Sequence, residues 1–137
     1  MTGGYAYKHG GTEYWLVYTA DAFFEINERY GTNFLEKLRP ASREAYEMAL
    51  GCICILAREG ELCRRYMGHD KLPMLEEETL HRTILPDGIA PLKNAVMNAV
   101  FAGMRVEVEE EQETKEKGKK KPVDIGLAEF EKKTIPG

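Results

Sequence analysis

The feature that most constrains the fold is a long apolar segment that follows Pro40. The residue before a proline is disfavoured in helical backbone, so Arg39-Pro40 marks a boundary, and Ser42 can then cap a new helix. Apolar residues recur from there with helical spacing over most of the helix circumference, at Tyr46, Met48, Leu50, Cys52, Ile53, Ile55, Leu56 and Ala57. A helix of this kind is buried on nearly all sides. We therefore predict a central helix over residues 42–58, with other elements packed around it.

Two short strands are predicted at the N-terminus, over residues 5–8 and 12–18. The tripeptide His9-Gly10-Gly11 lies between them and predicts a hairpin, because glycine adopts the positive φ that tight turns need. The second strand is apolar on both faces, with Tyr14, Leu16 and Tyr18 on one and Trp15 and Val17 on the other. A two-stranded hairpin has little stability alone. We expect it to pack on the helices, with a face left for a partner.

Helical spacing and breaker residues define the remaining elements up to residue 104. The predicted helices cover residues 20–30, 34–38, 42–58 with a continuation over 61–67, 75–84 and 89–104. Thr19 or Asp21 can cap the first helix and Gly31 can end it. Gly60 is expected to break or kink the central helix. The sequence thus predicts a mainly α (α+β) domain at residues 1–104, an N-terminal β-hairpin packed on a small bundle of about five helices.

The composition changes after Met104. Acidic and basic residues dominate residues 105–137, with an acidic block ahead of a basic one. Such a segment buries too little apolar surface to offset its ordering entropy, so we predict a flexible, disordered charged tail. A short helix is possible at residues 125–133, where the apolar residues are Ile125, Leu127, Ala128 and Phe130. This patch is either a frayed terminus or a motif that folds on a partner, for which Ile125, Leu127 and Phe130 are the candidate contacts.

Charge and hydropathy exclude several partners. The net charge of −4 disfavours nucleic-acid binding, which normally uses a basic face. Residues 1–11 are polar and lack the apolar core of a signal peptide. No apolar run approaches the roughly 18 residues of a membrane span. We expect a cytoplasmic protein that does not bind membranes.

No catalytic or metal-binding pattern is found in the chain. The motifs of serine hydrolases, P-loop NTPases, zinc proteases and dinucleotide-binding folds are absent from the sequence. Cys52 and Cys54 point in different directions on a helix, and Cys63 adds no matched spacing. The cysteines are therefore interpreted as small buried side chains. We expect no catalytic residue, no metal and no cofactor.

Surplus aromatic residues are the best candidates for a binding surface. The stretch from Tyr14 to Gly31 carries more large apolar side chains than one helix stripe and one strand face can bury. Phe23 and Phe24 are adjacent, and adjacent helical residues point about 100° apart. An apolar surface beyond the core is typical of proteins that bind other chains. The predicted partner-binding residues are Trp15, Tyr18, Phe23 and Phe24, with Ile125, Leu127 and Phe130 in the tail.

The order of these features resembles a known family. The chain contains YWLVYTADAFFEINERYG after the glycine turn, LAREGELCRRYMG in the long helix, ILPDGIAPLKNAVMNAVFAGM before the tail and VDIGLAEFEKK near the end. This pattern of apolar spacing and breaker residues resembles the tail assembly chaperones of long-tailed bacteriophages and prophages, particularly those of Gram-positive hosts. The resemblance covers residues 5–104 and the closing segment.

The resemblance implies a non-enzymatic factor in the host cytoplasm. Such a chaperone binds the long tape measure protein, keeps it soluble and helps to recruit tail tube protein during tail morphogenesis. It is absent from the mature virion. Association between copies of the chain is a further candidate interaction. The family offers no functional residues that can be transferred position by position.

Three alternatives stay open on the sequence. A structural tail-completion or connector protein would be found in purified particles, whereas a chaperone would be absent from them. A small DNA-binding regulator would show salt-dependent DNA affinity, which the charge disfavours. An enzyme is the least supported class, because no catalytic constellation is present.

Overall fold

The computed structural model describes residues 3–112, with side chains described as far as Met104. A two-stranded antiparallel hairpin is followed by five α-helices, which confirms the predicted mainly α fold with an N-terminal hairpin. The elements are β1 (Gly4–His9), β2 (Thr12–Val17), α1 (Ala20–Tyr30), α2 (Phe34–Lys37), α3 (Arg43–Tyr66), α4 (Glu77–Thr83) and α5 (Ile89–Gln112). A short 3-10 turn, Pro86–Gly88, leads into α5.

The hairpin turn is formed by two glycines, as predicted. His9 pairs with Thr12, so Gly10 and Gly11 make a two-residue loop with φ of 60° and 82°. Positive φ at both positions is the geometry that matches the twist of the flanking strands. This register places Leu16 toward the helices, where its side chain is fully buried.

The central helix is α3, and the core surrounds it. Ser42 caps it as predicted, since its hydroxyl accepts a hydrogen bond from the Ala45 amide at 3.1 Å. Buried residues from the other elements complete the core, among them Leu16, Ala22, Ile26, Phe34, Leu38, Leu80, Leu92, Val96 and Val100. One central helix therefore organises the hairpin and the other helices, as its apolar circumference predicts.

The expected break at Gly60 is wrong, because α3 continues through it to Tyr66. At Gly60 the helix lies directly against β2, and a methyl group there would overlap the main-chain carbonyl of Trp15. Tertiary packing outweighs the weak helix propensity of a single glycine. Gly60 thus provides room for the close approach of strand and helix.

The last helix extends beyond its predicted end at Met104. It continues to Gln112, so the first eight residues of the predicted tail are helical. This segment is rich in glutamate, a good helix former, and adding a residue to an existing helix avoids the cost of nucleation. Met1–Gly103 is one compact unit, and the part of α5 from Met104 onward belongs to a second. The possible helix at 125–133 lies outside the described residues.

The length and hydropathy of the described helices determine whether any of them could span a membrane. None of them is both long enough and apolar enough to cross a bilayer.

A candidate protein-binding surface on the first helix

Helix α1 is fixed on its inner face. The Thr19 hydroxyl accepts a hydrogen bond from the Ala22 amide at 3.1 Å and caps the helix start. Ala22 and Ile26 lie four residues apart, on one side of the helix, and both are fully buried. The direction of α1 is therefore set by a cap and an apolar contact with the core.

An ion-pair network connects α1 to α3. Arg58 Nη2 lies 2.6 Å from Glu25 Oε1 and 2.9 Å from Glu59 Oε2. The Thr19 hydroxyl donates to Glu59 Oε1 at 2.8 Å, so the network reaches the cap of α1. The hydrogen bond from Arg58 lowers the pKa of Glu25 below its usual value. The Glu25 carboxylate therefore stays ionised at neutral pH and helps to hold α1 in place.

Two phenylalanines are presented outward by this fixed helix. Phe23 is 41% exposed and Phe24 60% exposed, although both are large and apolar. Their ring centroids are 5.0 Å apart with an edge-to-face angle of 77°, and Phe23 also contacts the Tyr18 ring at 6.2 Å. Edge-to-face pairs at such distances are favourable. We call Tyr18, Phe23 and Phe24 the aromatic surface.

Tyr18 forms the inner part of the aromatic surface. Helix α5 approaches it closely at Gly103, where a Cβ atom would lie 2.8 Å from the Tyr18 Cβ. Burial, with a smaller effect from Cys52, raises the pKa of Tyr18 to about 12. The phenol therefore stays protonated and neutral at physiological pH. It supports an uncharged apolar surface with one polar group.

Trp15 lies on a different surface from the two phenylalanines. Its indole ring covers Gly4, where a methyl group would overlap the ring. It also lines a cleft of about 480 Å³ between the hairpin, α3 and the loop after α3, together with Met67, Leu72 and Pro73. The structure thus brings together Tyr18, Phe23 and Phe24 and separates Trp15 from them. Ile125, Leu127 and Phe130 lie outside the described residues.

The cleft beside Trp15 has a polar anchor that sequence reasoning missed. Glu61 is buried and accepts hydrogen bonds from Arg64 at 2.9 Å, Arg65 at 2.8 Å and the Leu72 amide at 2.7 Å. Burial opposes its ionisation, but these three donors outweigh burial and lower the pKa of Glu61. The sequence does contain a signal for the two ion pairs, because Glu61 lies three and four residues before Arg64 and Arg65 on one helix. The hydrogen bond from Leu72 could not be predicted from the sequence, because Leu72 lies in a loop whose path no local pattern encodes.

The thiols and acids of the described residues suggest no reactive centre. Burial raises the pKa of both Cys52 and Cys54 to about 12, so these thiols are protonated at neutral pH. Within residues 3–112, no cluster of three or more histidine, cysteine, aspartate or glutamate side chains could hold a metal ion.

No protein-family model matches the chain, and no curated protein or solved structure matches it.

Proposed function

We propose that this protein is a phage tail assembly chaperone that binds the tape measure protein through the aromatic surface. In this role it acts in the host cytoplasm without catalysis, helps to recruit tail tube protein and is absent from the mature virion. The observation that carries the proposal is that Phe23 and Phe24 are exposed on a helix whose opposite face is packed against the core. The family resemblance of the sequence supplies the class of partner.

The aromatic surface suits a long amphipathic helix as its ligand. Burying an exposed phenylalanine contributes about 2 kcal/mol to the binding free energy. The side chain has only two rotatable bonds, so ordering it on binding costs little entropy. Because α1 is already held by its cap and ion pairs, little further ordering is required on binding. A helix can present apolar residues at three- and four-residue spacing to such rings. Repeated weak sites of this kind could cover a long chain.

The charges around the two phenylalanines keep the free protein soluble. Asp21, Glu28 and Arg29 are exposed on the same helix, and Glu25 is partly exposed. Interspersed charges limit non-specific association of an apolar patch. The surface can therefore be exposed before a partner is present, as a chaperone requires.

The substitution Phe24→Asp tests this function. It should weaken capture of the tape measure protein by about tenfold or more, which corresponds to roughly 1.4 kcal/mol. Leu85→Asp is the matched control, because Leu85 is 65% exposed and lies in the α4–α5 connection. Affinity would be measured by co-purification and titration, and folding by thermal unfolding of both variants.

Three results would contradict the proposal. If Phe24→Asp keeps full affinity for the tape measure protein, the aromatic surface is not its binding site. If purified phage particles contain stoichiometric amounts of the protein, the alternative of a structural tail-completion or connector protein is correct. Loss of cooperative unfolding in Phe24→Asp alone would show that the ring belongs to the core.

A further inference from the structure

A second surface lies away from the aromatic surface, at the other end of α3. A groove of about 1100 Å³ runs between the α2–α3 connection, the first turns of α3, α4 and the start of α5. Its apolar residues include Leu38, which is fully buried, and the half-buried Tyr46 and Met97. The Tyr46 ring meets the His81 ring edge to face at 6.1 Å. The groove therefore has an apolar floor supported by the core.

The side chains that line this groove are mainly basic, whereas the chain as a whole has a negative net charge. The whole chain has a net charge of −4, yet the groove is lined by Arg39, Arg43, Arg82 and Lys93. Glu78 is the acidic residue among the described residues that line it. These bases come from three helices and the α2–α3 connection, so their grouping is a product of the fold. We call this region the basic groove.

Two of the four bases have no carboxylate partner among the described residues. Lys93 donates to the main-chain oxygen of Pro40 at 2.9 Å, which holds its ammonium group at the groove, and Arg39 is exposed. Arg43 pairs with Glu47 at 3.0 Å and Arg82 with Glu78 at 2.9 Å. Both pairs are exposed i,i+4 contacts, which contribute at most a few tenths of a kcal/mol. These arginines can change partner at little cost.

We propose that the basic groove binds an acidic amphipathic α-helix of a protein partner. Its apolar stripe would lie on the floor near Tyr46 and Met97, and flanking carboxylates would pair with the basic side chains. The apolar floor favours this ligand over a nucleic acid, whose backbone offers phosphates and no apolar stripe.

The test uses two designed peptides and the full-length protein. One peptide of roughly 15 residues has leucines at helical spacing flanked by glutamates, and the other carries lysines in place of the glutamates. Fluorescence anisotropy should show binding of the glutamate peptide and at least about tenfold weaker binding of the lysine peptide. Arg39→Glu and Arg82→Glu should each weaken the glutamate peptide by about fivefold to tenfold.

Lys71→Glu is the matched control, since Lys71 is an exposed base in the loop after α3 and outside the groove. Its affinity for the glutamate peptide should stay within about twofold of the parent protein. Phe24→Asp should also leave this affinity unchanged, which separates the result from the fate of the tape-measure proposal. Arg39 makes no hydrogen bond through its side chain within the described residues, so Arg39→Glu decides the outcome if Arg82→Glu unfolds.

Three results would overturn the inference. The first is equal binding, or no binding, of the two peptides. The second is an effect of Lys71→Glu as large as that of Arg39→Glu, which would indicate a general charge effect. The third is tighter binding of a short DNA duplex than of the glutamate peptide, with the same loss in Arg39→Glu, which would make the groove a nucleic-acid site.

Discussion

Glu61 shows at the residue scale how one side chain orders a loop. It extends from α3 and accepts a hydrogen bond from the amide of Leu72, which lies in a loop between α3 and α4. Arg64 and Arg65 also donate to main-chain oxygens of that loop, at Asp70 and Leu72. The carboxylate and two guanidinium groups thus hold the loop that forms one wall of the cleft at Trp15.

The pH dependence of stability should report on Glu61. Its folded pKa is depressed below the usual 4.5, so its stabilising effect is present above that value and is lost as pH falls through the folded pKa. Glu61→Gln should lower the free energy of unfolding at pH 7 by about 1–3 kcal/mol and flatten its fall below pH 4.5. Urea unfolding between neutral and acidic pH measures this.

Glu28→Gln is the control for Glu61→Gln, because Glu28 is exposed on α1. Its unfolding free energy should change by less than about 0.5 kcal/mol at neutral pH. Equal curves for Glu61→Gln and Glu28→Gln would contradict the role given to Glu61.

Helix α1 is the element on which the proposed function depends. Its contact with the core is short, since only Ala22 and Ile26 of its eleven residues are buried. Arg58 adds a polar attachment by pairing with Glu25 of α1 while Glu59 binds Thr19 at the helix start. The position of the two phenylalanines therefore depends on both apolar packing and this network.

Arg58→Met should loosen α1 while leaving the rest of the molecule intact. The ion pair is more than a third exposed on both sides, so its loss should cost less than about 1 kcal/mol overall. Amide hydrogen exchange should nevertheless become faster in α1 than in α3, since local opening needs less energy than global unfolding. Arg82→Met, which breaks an exposed pair within α4, should leave exchange in α1 unchanged. Unchanged exchange of α1 in Arg58→Met would contradict the attachment.

The whole molecule has its described core within one unit. Every core residue whose side chain is described lies between Tyr7 and Val100, inside the compact unit Met1–Gly103. Loss of the residues beyond Gly103 would therefore remove no member of the described core.

Truncation after Gln112 should separate folding from assembly. The shortened chain should keep the melting temperature of the full chain within a few degrees, because the described core is retained. It should still bind tape measure protein through the aromatic surface but fail to support tail formation in a phage lacking this gene. Calorimetry and complementation measure these two properties. Normal phage titre with the truncated chain would show that residues 113–137 have no role in assembly.

The basic outline of the fold was determined by the sequence alone. Helical periodicity, the Ser42 and Thr19 caps and the glycine turn predicted the central helix, α1 and the hairpin, because each signal acts over a few neighbouring residues. The sequence also predicted that Phe23 and Phe24 exceed what one helix face can bury, because this signal too involves only neighbouring residues. One helix stripe cannot bury two adjacent large side chains together with Ala22 and Ile26.

Only the tertiary structure decided what distant residues do to one another. Gly60 reads locally as a helix breaker, yet it is the point where β2 touches α3. Trp15 reads as part of the aromatic group, yet the hairpin register turns its ring over Gly4. The basic groove collects charges from residues 39 to 93, whose proximity no local pattern encodes. These arrangements follow from packing between elements far apart in the chain, and such packing is invisible to periodicity and propensity.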